Sequence, residues 1–451
     1  MSSSLEQIVM NTRSLSHAGD FKELASLLPK HIDILTRNHQ HLDNVLETLD
    51  LSHHSIGMLG VMYVKMNFFA NSNNSTLEQF KLLLPQLQEF IHCCNKDQIL
   101  YVSDTFADLC HLITNQLIDF GIAITGIKLM MKAIRKLQPP GKGESHLTAV
   151  HADLCKLCLA SKCLKPALKY LEKDISQIET GEDAKYFLLY FYYGGMIYTA
   201  LKKYEKALYC FEVCTMTPAQ AISHIMVEAY KKFMLVSPIL IGKYSIKITL
   251  IYLHIYQILF CKFFRHVKRL CAPYVELSNV YCINNCDEMK RVIRKYEESL
   301  IRDKNLGLAN QVLNSLYKKN IQRLTNTFLT LSLTDVAARV KLSNIAEAEK
   351  YILNMIEDAE IFAVINQTDG MVVFLDDPEK YNSPRMLAKL EKEMEESPNY
   401  IRKVCGGNEQ EEQALANSPA QNATTTQQLV YSCIIKILLK LKFSYPTHFL
   451  D

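Results

Sequence analysis

Gly126-Ile127-Lys128-Leu129-Met130-Met131, Ala167-Leu168-Lys169-Tyr170-Leu171-Glu172 and Ala207-Leu208-Tyr209-Cys210-Phe211-Glu212 share one frame, a small residue followed by a large apolar one. The small residues stand 41 and then 40 positions apart. A period of about 40 marks stacked helical hairpins, each unable to bury its apolar face alone.

The third copy is the sharpest. Phe191, Gly195, Tyr198, Ala207, Phe211 and Pro218 fall close to tetratricopeptide spacing, with an aromatic in place of the usual Trp and the Pro about one position early. Gly195 and Ala207 are expected to let two antiparallel helices approach, with Tyr198 and Phe211 filling the space beside them. Apolar residues at helical spacing also run from Ile8 to Leu28, Val45 to Phe69 and Leu77 to Phe90. Asn71 to Thr76 is a polar loop and Pro139 to Gly143 a break. Residues 1 to about 235 therefore read as a right-handed helical solenoid.

Composition agrees. The chain has 451 residues, 49% of them hydrophobic and 22% charged, with a net charge of +3, which excludes a wholly disordered chain and a strongly basic nucleic-acid binder. Only 15 Gly and 13 Pro leave too few turn formers for a large β architecture, so long helices joined by short loops are expected. Met1-Ser-Ser-Ser-Leu-Glu6 has neither the basic nor the apolar part of a secretory signal, so the 14 cysteines are expected to stay reduced and to pack helix interfaces.

After Asn305 the pattern changes. Leu306 to Leu324 is an amphipathic helix, and Thr327 to Leu333 alternates like a strand. Thr334 or Ser332 is placed to cap a helix through Val340, and Ser343 or Asn344 a second from Ile345 to Ala359. Ile361 to Ile365 and Met371 to Phe374 flank Asp369-Gly370, a hairpin signal. Helix, strand, two helices and a hairpin make the order of a winged helix. The helix that would enter a DNA groove carries Glu347, Glu349, Glu357, Asp358 and Glu360 against Lys350, which phosphates would repel. The apolar hairpin, Phe362, Val364, Val372 and Phe374, is instead expected to present an edge to another chain.

A solenoid followed by a winged helix is the PCI architecture, found in the proteasome lid, an initiation-factor complex and the COP-nine signalosome. Asp104 to His111, His151 to Cys158, Tyr193 to Tyr198, Tyr317 to Thr325, Glu360 to Ala363 and Asp377 to Tyr381 closely resemble the subunit 3 family of that signalosome. The resemblance covers most of residues 1–243 and 270–385. It implies a non-catalytic scaffold in an eight-subunit assembly that removes Nedd8 from cullins and so regulates cullin-RING ubiquitin ligases, with the catalytic zinc in another subunit. The partners it implies are the other subunits, met through winged-helix sheet pairing and helical tails, with cullin-RING ligases reached indirectly in cytoplasm and nucleus. A proteasome-lid PCI scaffold subunit and a winged-helix nucleic-acid-binding module are the alternatives. Tyr244 to Phe264 and the chain after about residue 395 depart from the family, and their AT-rich codon preference suggests translated intron sequence.

No complete catalytic signature is present: HExxH, GxxxxGK[ST], GxSxG and GxGxxG are all missing. The deneddylase metal motif resembles HxH followed by Ser and Asp. His39-Gln-His41 supplies its start, but Leu49 and Ser52 stand where the Ser and Asp belong. His151, Cys155 and Cys158 share a helix face, with Cys163 beyond, yet leucines surround them and no second CxxC follows at zinc-ribbon spacing, so buried packing cysteines are expected, as at Cys210, Cys214, Cys282 and Cys286. No cofactor or metal is expected. Ile248 to Cys261 offers 14 residues without Lys or Arg, short of the ~20 that a membrane span needs. Lys436, Lys440 and Lys442 among the aliphatics of Leu429 to Phe443 suit docking on partner helices. Ser383, Ser397 and Ser418 each precede Pro and are candidate phosphorylation sites.

The expected organisation is mainly α: a TPR-like solenoid over 1–192, then a PCI domain over 193–375 whose winged helix occupies 306–375 with a small β-sheet. A flexible linker over 376–428 and a C-terminal amphipathic helix or divergent tail over 429–451 complete the chain.

Overall fold

A computed structural model describes residues 4–72, 76–138, 146–173, 175, 177–178, 184–217, 223–241, 267 and 269–375. The residues beyond 375, the 244–264 segment, the Pro139 to Gly143 break and Ser383, Ser397 and Ser418 lie outside the described residues, as do Asn73 to Ser75 of the polar loop and Pro218 of the repeat frame. The described residues fall into two compact units, one reaching Leu240 together with those between 267 and 275, the other from Glu276 onward.

The first unit is built of helices α1 (Ser4–Ala18), α2 (Phe21–Arg37), α3 (Leu42–Thr48), α4 (Ser55–Asn71), α5 (Leu77–Cys93), α6 (Lys96–Ile99), α7 (Ser103–Asp119) and α8 (Ala123–Leu137). It continues through α9 (Val150–Ala160), α10 (Lys165–Leu171), α11 (Ala184–Ala200), α12 (Tyr204–Met216) and α13 (His224–Ile241). A two-residue parallel pair, β1 (His146–Leu147) with β2 (Gln177–Ile178), has no counterpart in the sequence reading.

Helices α4, α7, α9 and α11 pack side by side in turn, while α8 packs on α9 and α12 on α11. That is the layout of stacked hairpins, and small residues set its spacing. A Cβ added at Gly195 would lie 2.6–2.8 Å from ring carbons of Phe211, and one at Gly126 would lie 2.5 Å from a Leu117 methyl. Ala207 is buried, as expected of the repeat frame. Tyr198, also buried, turns its hydroxyl to donate to the carbonyl of Leu171 at 3.1 Å.

Two long apolar runs are broken. Gly19, at φ +76°, and Asp20, whose carboxylate accepts from the amide of Glu23, divide Ile8 to Leu28 into α1 and α2. Asp50 accepts both the amide and the hydroxyl of Ser52 at 2.9 Å, a turn that separates α3 from α4 within the Val45 to Phe69 run. Thr76 and Gln79 form a reciprocal capping box at the start of α5.

The second unit holds α14 (Ala272–Ile283, from Glu276 onward), α15 (Cys286–Lys295), α16 (Glu297–Arg302) and α17 (Leu306–Thr325). It ends in β3 (Thr330–Ser332), α18 (Leu333–Val340), α19 (Ile345–Glu357), β4 (Phe362–Asn366) and β5 (Met371–Leu375). The amphipathic helix, the helix pair and the hairpin all stand where the sequence put them. The first strand is shorter than the Thr327 to Leu333 alternation suggested. The amides of Thr327 and Phe328 both turn back to the carbonyl of Leu324, so the end of α17 consumes the first residues of that run. Ser332, not Thr334, caps α18 by accepting from the amide of Asp335 at 3.0 Å.

Candidate partner-facing sheet

The small sheet has the strand order β3-β5-β4, all antiparallel. Asn366 shapes the hairpin: its side-chain oxygen accepts from the amide and hydroxyl of Thr368, and its amide donates to Asp369 at 2.7 Å. Gly370 follows at φ +63°, where a side chain would be strained.

The register divides the hairpin into two faces. Val372 and Phe374 are 0% and 5% exposed and lie with Leu331 toward the helices. Val364, Val373 and Leu375 occupy the opposite face at 56%, 38% and 53% exposure. Phe362 pairs across to Leu375 and Val364 to Val373 on that outer face. The expectation that all four hairpin residues face a partner is therefore corrected. Val372 and Phe374 point from the central strand β5 to the core face, on the same side as Leu331, whereas Phe362 and Val364 belong to the outer strand β4.

The ladder also settles which backbone groups lie at the rim. The amide of Phe374 donates to Leu329 and the carbonyl of Gly370 accepts from Leu333, so the even-numbered residues of β5 face β3. The odd-numbered ones then face β4 at Phe362, Val364 and Asn366, which leaves the backbone groups of Ala363 and Ile365 directed away from the sheet. An outer strand with such donors and acceptors, beside an exposed apolar face, is a template for another strand.

Beside the sheet, α19 keeps its acids. Glu347, Glu357 and Asp358 are exposed, and Lys318 bridges Asp358 and Glu360 at 3.0 Å each. Burial lowers the pKa of Lys318, but its hydrogen bonds to the two carboxylates outweigh that, and the net shift is upward. A helix so charged opposes phosphate in a groove.

The other candidates dissolve into packing. His151 is buried, and its Nδ1 accepts from the amide of Thr148 at 3.1 Å, while Tyr170 and Tyr190 meet its ring edge-on. Cys155, Cys158, Cys210 and Cys214 are buried; burial pushes the thiols of Cys155 and Cys214 well up and that of Cys158 to about 11. Cys286 is buried too, whereas Cys282 is exposed and corrects the expectation that it packs a helix interface. His39 and His41 sit in an exposed 3-10 turn, with His39 stacked on Phe68 at 4.5 Å. Among the described residues, no group of three His, Cys, Asp or Glu side chains could hold a metal ion, and no helix is long and apolar enough to cross a membrane.

Comparison with known proteins agrees with this geometry. Residues 18–250 match the family described as COP9 signalosome complex subunit 3, N-terminal helical repeats, and residues 293–376 match the PCI domain. The chain is 45% identical over 437 residues to COP9 signalosome complex subunit 3 of Drosophila melanogaster, covering 92% of this chain and 94% of the relative. Against the protein of the same description in Arabidopsis thaliana it is 36% identical over 385 residues, covering 85% and 86%. Helical repeats, the three-stranded PCI sheet and near full-length likeness place the chain in the COP9 signalosome subunit 3 family.

Proposed function

We propose that this chain is a non-catalytic scaffold subunit of a COP9 signalosome assembly, supporting removal of Nedd8 from cullins and thereby the regulation of cullin-RING ligases and ubiquitin-dependent degradation. The observation that carries the reading is the PCI sheet, whose outer strand β4 and apolar face of Val364, Val373 and Leu375 stand ready for a neighbouring subunit. Phe362 and Val364 are the interface residues retained, joined by Ile365 for its rim-directed backbone. Cullin-RING ligases are reached through the assembly, in cytoplasm and nucleus.

Co-purification of the tagged chain from its native cells tests this. The wild-type chain should recover the other signalosome subunits and deneddylate a Nedd8-modified cullin, whereas the isolated chain should not. Ile365→Pro, which removes a rim amide, combined with Val364→Asp should lose the sheet-pairing subunit and its share of the activity. Recovery of proteasome-lid subunits, or full assembly by the double variant, would overturn the reading.

A further inference from the structure

Helices α7 and α8 of the first unit differ in charge. On the row of α4, α7, α9 and α11, acids are presented by Asp104, Asp108 and Asp119 of α7. Helices α8 and α10 contain no Asp or Glu, whereas α12 holds Glu205 and Glu212. The exposed residues of α8 include Ile124, Lys128, Lys132 and Arg135, with half-buried Met131 among them. Ile124, Lys128, Met131 and Arg135 recur at the four-, three- and four-residue steps of a single helix face.

None of Lys128, Lys132, Arg135, Lys165 or Lys169 makes an ion pair among the described residues. Lys132 lies 3.1 Å from Nδ1 of His92, and Lys136 donates to the carbonyl of Cys94 at 2.6 Å, so neither contact is with a carboxylate. On α10, Lys165 and Lys169 are exposed. The next acid along the row, Glu172, is shared by Lys203 and Lys206 at 3.2 and 3.9 Å.

The alternation of apolar and cationic residues selects the partner. Ile124 is 63% exposed at the head of the stripe, and phosphates would leave it uncovered. The stripe of α8 itself holds no aromatic ring on which a base could stack. A helix with acids over Lys128 and Arg135 and apolar residues over Ile124 and Met131 would satisfy both. We propose that the exposed face of α8 is a docking surface for an acidic amphipathic helix of another protein. This surface is separate from the PCI sheet, and its test does not depend on the assembly reading.

The test uses the purified full-length chain and fluorescence anisotropy with a synthetic Leu/Glu amphipathic peptide of roughly 15 residues, about as long as α8 itself. A peptide with every Glu replaced by Gln and an oligo-dT of similar length serve as comparators. The acidic peptide should bind, weaken as salt rises from about 50 to about 200 mM, and lose about tenfold in affinity both with Lys128→Glu/Arg135→Glu and with the Gln peptide. Ile124→Ser should cost about threefold, the loss of part of an apolar contact. Lys30→Glu, on α2, should change nothing. Should the charge-reversed chain misfold by circular dichroism, Lys128→Gln/Arg135→Gln decides, with a smaller loss in the same direction. Absence of acidic-peptide binding, binding unchanged in the stripe variants, equal binding of the Gln peptide, or tighter binding of the oligonucleotide would each overturn the proposal.

Discussion

The imidazole of His111 on α7 meets the carboxylate of Asp153 on α9 at 3.0 Å, although the two lie 42 residues apart. Asp153 is buried, His111 is partly open to solvent, and the other Asp153 oxygen has no hydrogen-bond partner among the described residues. Burial raises the Asp153 pKa, and the His111 hydrogen bond and charge only partly offset this. Breaking such a pair from one side leaves an uncompensated buried charge. His111→Ala should therefore destabilise by about 2 kcal/mol, less than for a fully buried pair because His111 is partly solvated. Asp153→Asn keeps the shape and an acceptor without the charge and should cost under about 1 kcal/mol. Urea melts of the two variants check the order; equal losses would show that the buried charge is not the determining factor.

His151 sets an acid limit. Burial pulls its pKa from 6.5 to about 4. The unfolded chain then binds the extra proton between those values and the folded chain does not. Stability from this site is complete above pH 6.5 and is lost as pH falls toward 4, by about 3 kcal/mol at most. Asp153, with its raised pKa, contributes stability that is greatest in acid and falls as pH rises, the opposite sense. The difference between His151→Gln and wild type therefore isolates the histidine. Melts from pH 7 to 4 should show the variant losing less stability with acid; parallel curves would refute it.

Gly195 and Gly307 should respond oppositely to alanine. In α11 the new methyl would press on the Phe211 ring, and overpacking at about 1–3 kcal/mol outweighs the ~1 kcal/mol that Ala gains in a helix. In α17 nothing lies within 4 Å of a Cβ at Gly307, so only the gain remains, a few tenths to about 1 kcal/mol. Thermal melts should fall for Gly195→Ala and rise for Gly307→Ala.

Thiol reactivity should follow burial. Cys93 and Cys282 are exposed, whereas Cys110, Cys155 and Cys214 are buried with thiol pKa values pushed well up by desolvation. Native alkylation near pH 8 followed by peptide mass spectrometry should label the first two and spare the other three until denaturant is added. Rapid native labelling of Cys155 would contradict the packing seen around α9.

The repeat frame, the capping Ser332 and the Asp369-Gly370 hairpin were legible in the chain because helical period, caps and tight turns are short-range properties. Helix ends were harder to read. Lys162, Lys202, Lys304 and Lys341 adopt φ between 56° and 62° just beyond helices, where glycine is the usual signal. The division of Val45 to Phe69 rests on one aspartate folding over a serine, which apolar periodicity does not record.

Sequence by itself determined the architecture, the family likeness and the acidic character of α19, since all three depend on residue order and type along a few turns. Only the tertiary structure decided which hairpin residues can meet a partner. Strand alternation makes Val364 and Val372 look alike, and the difference between 56% and 0% exposure arises from the register, which pairs Val364 with Val373 on the open face and leaves Val372, opposite Ile365 and Leu331, on the face turned to the core. The His111–Asp153 pair has the same kind of origin: stacked hairpins bring together residues about 40 positions apart, and that proximity is a property of the packing.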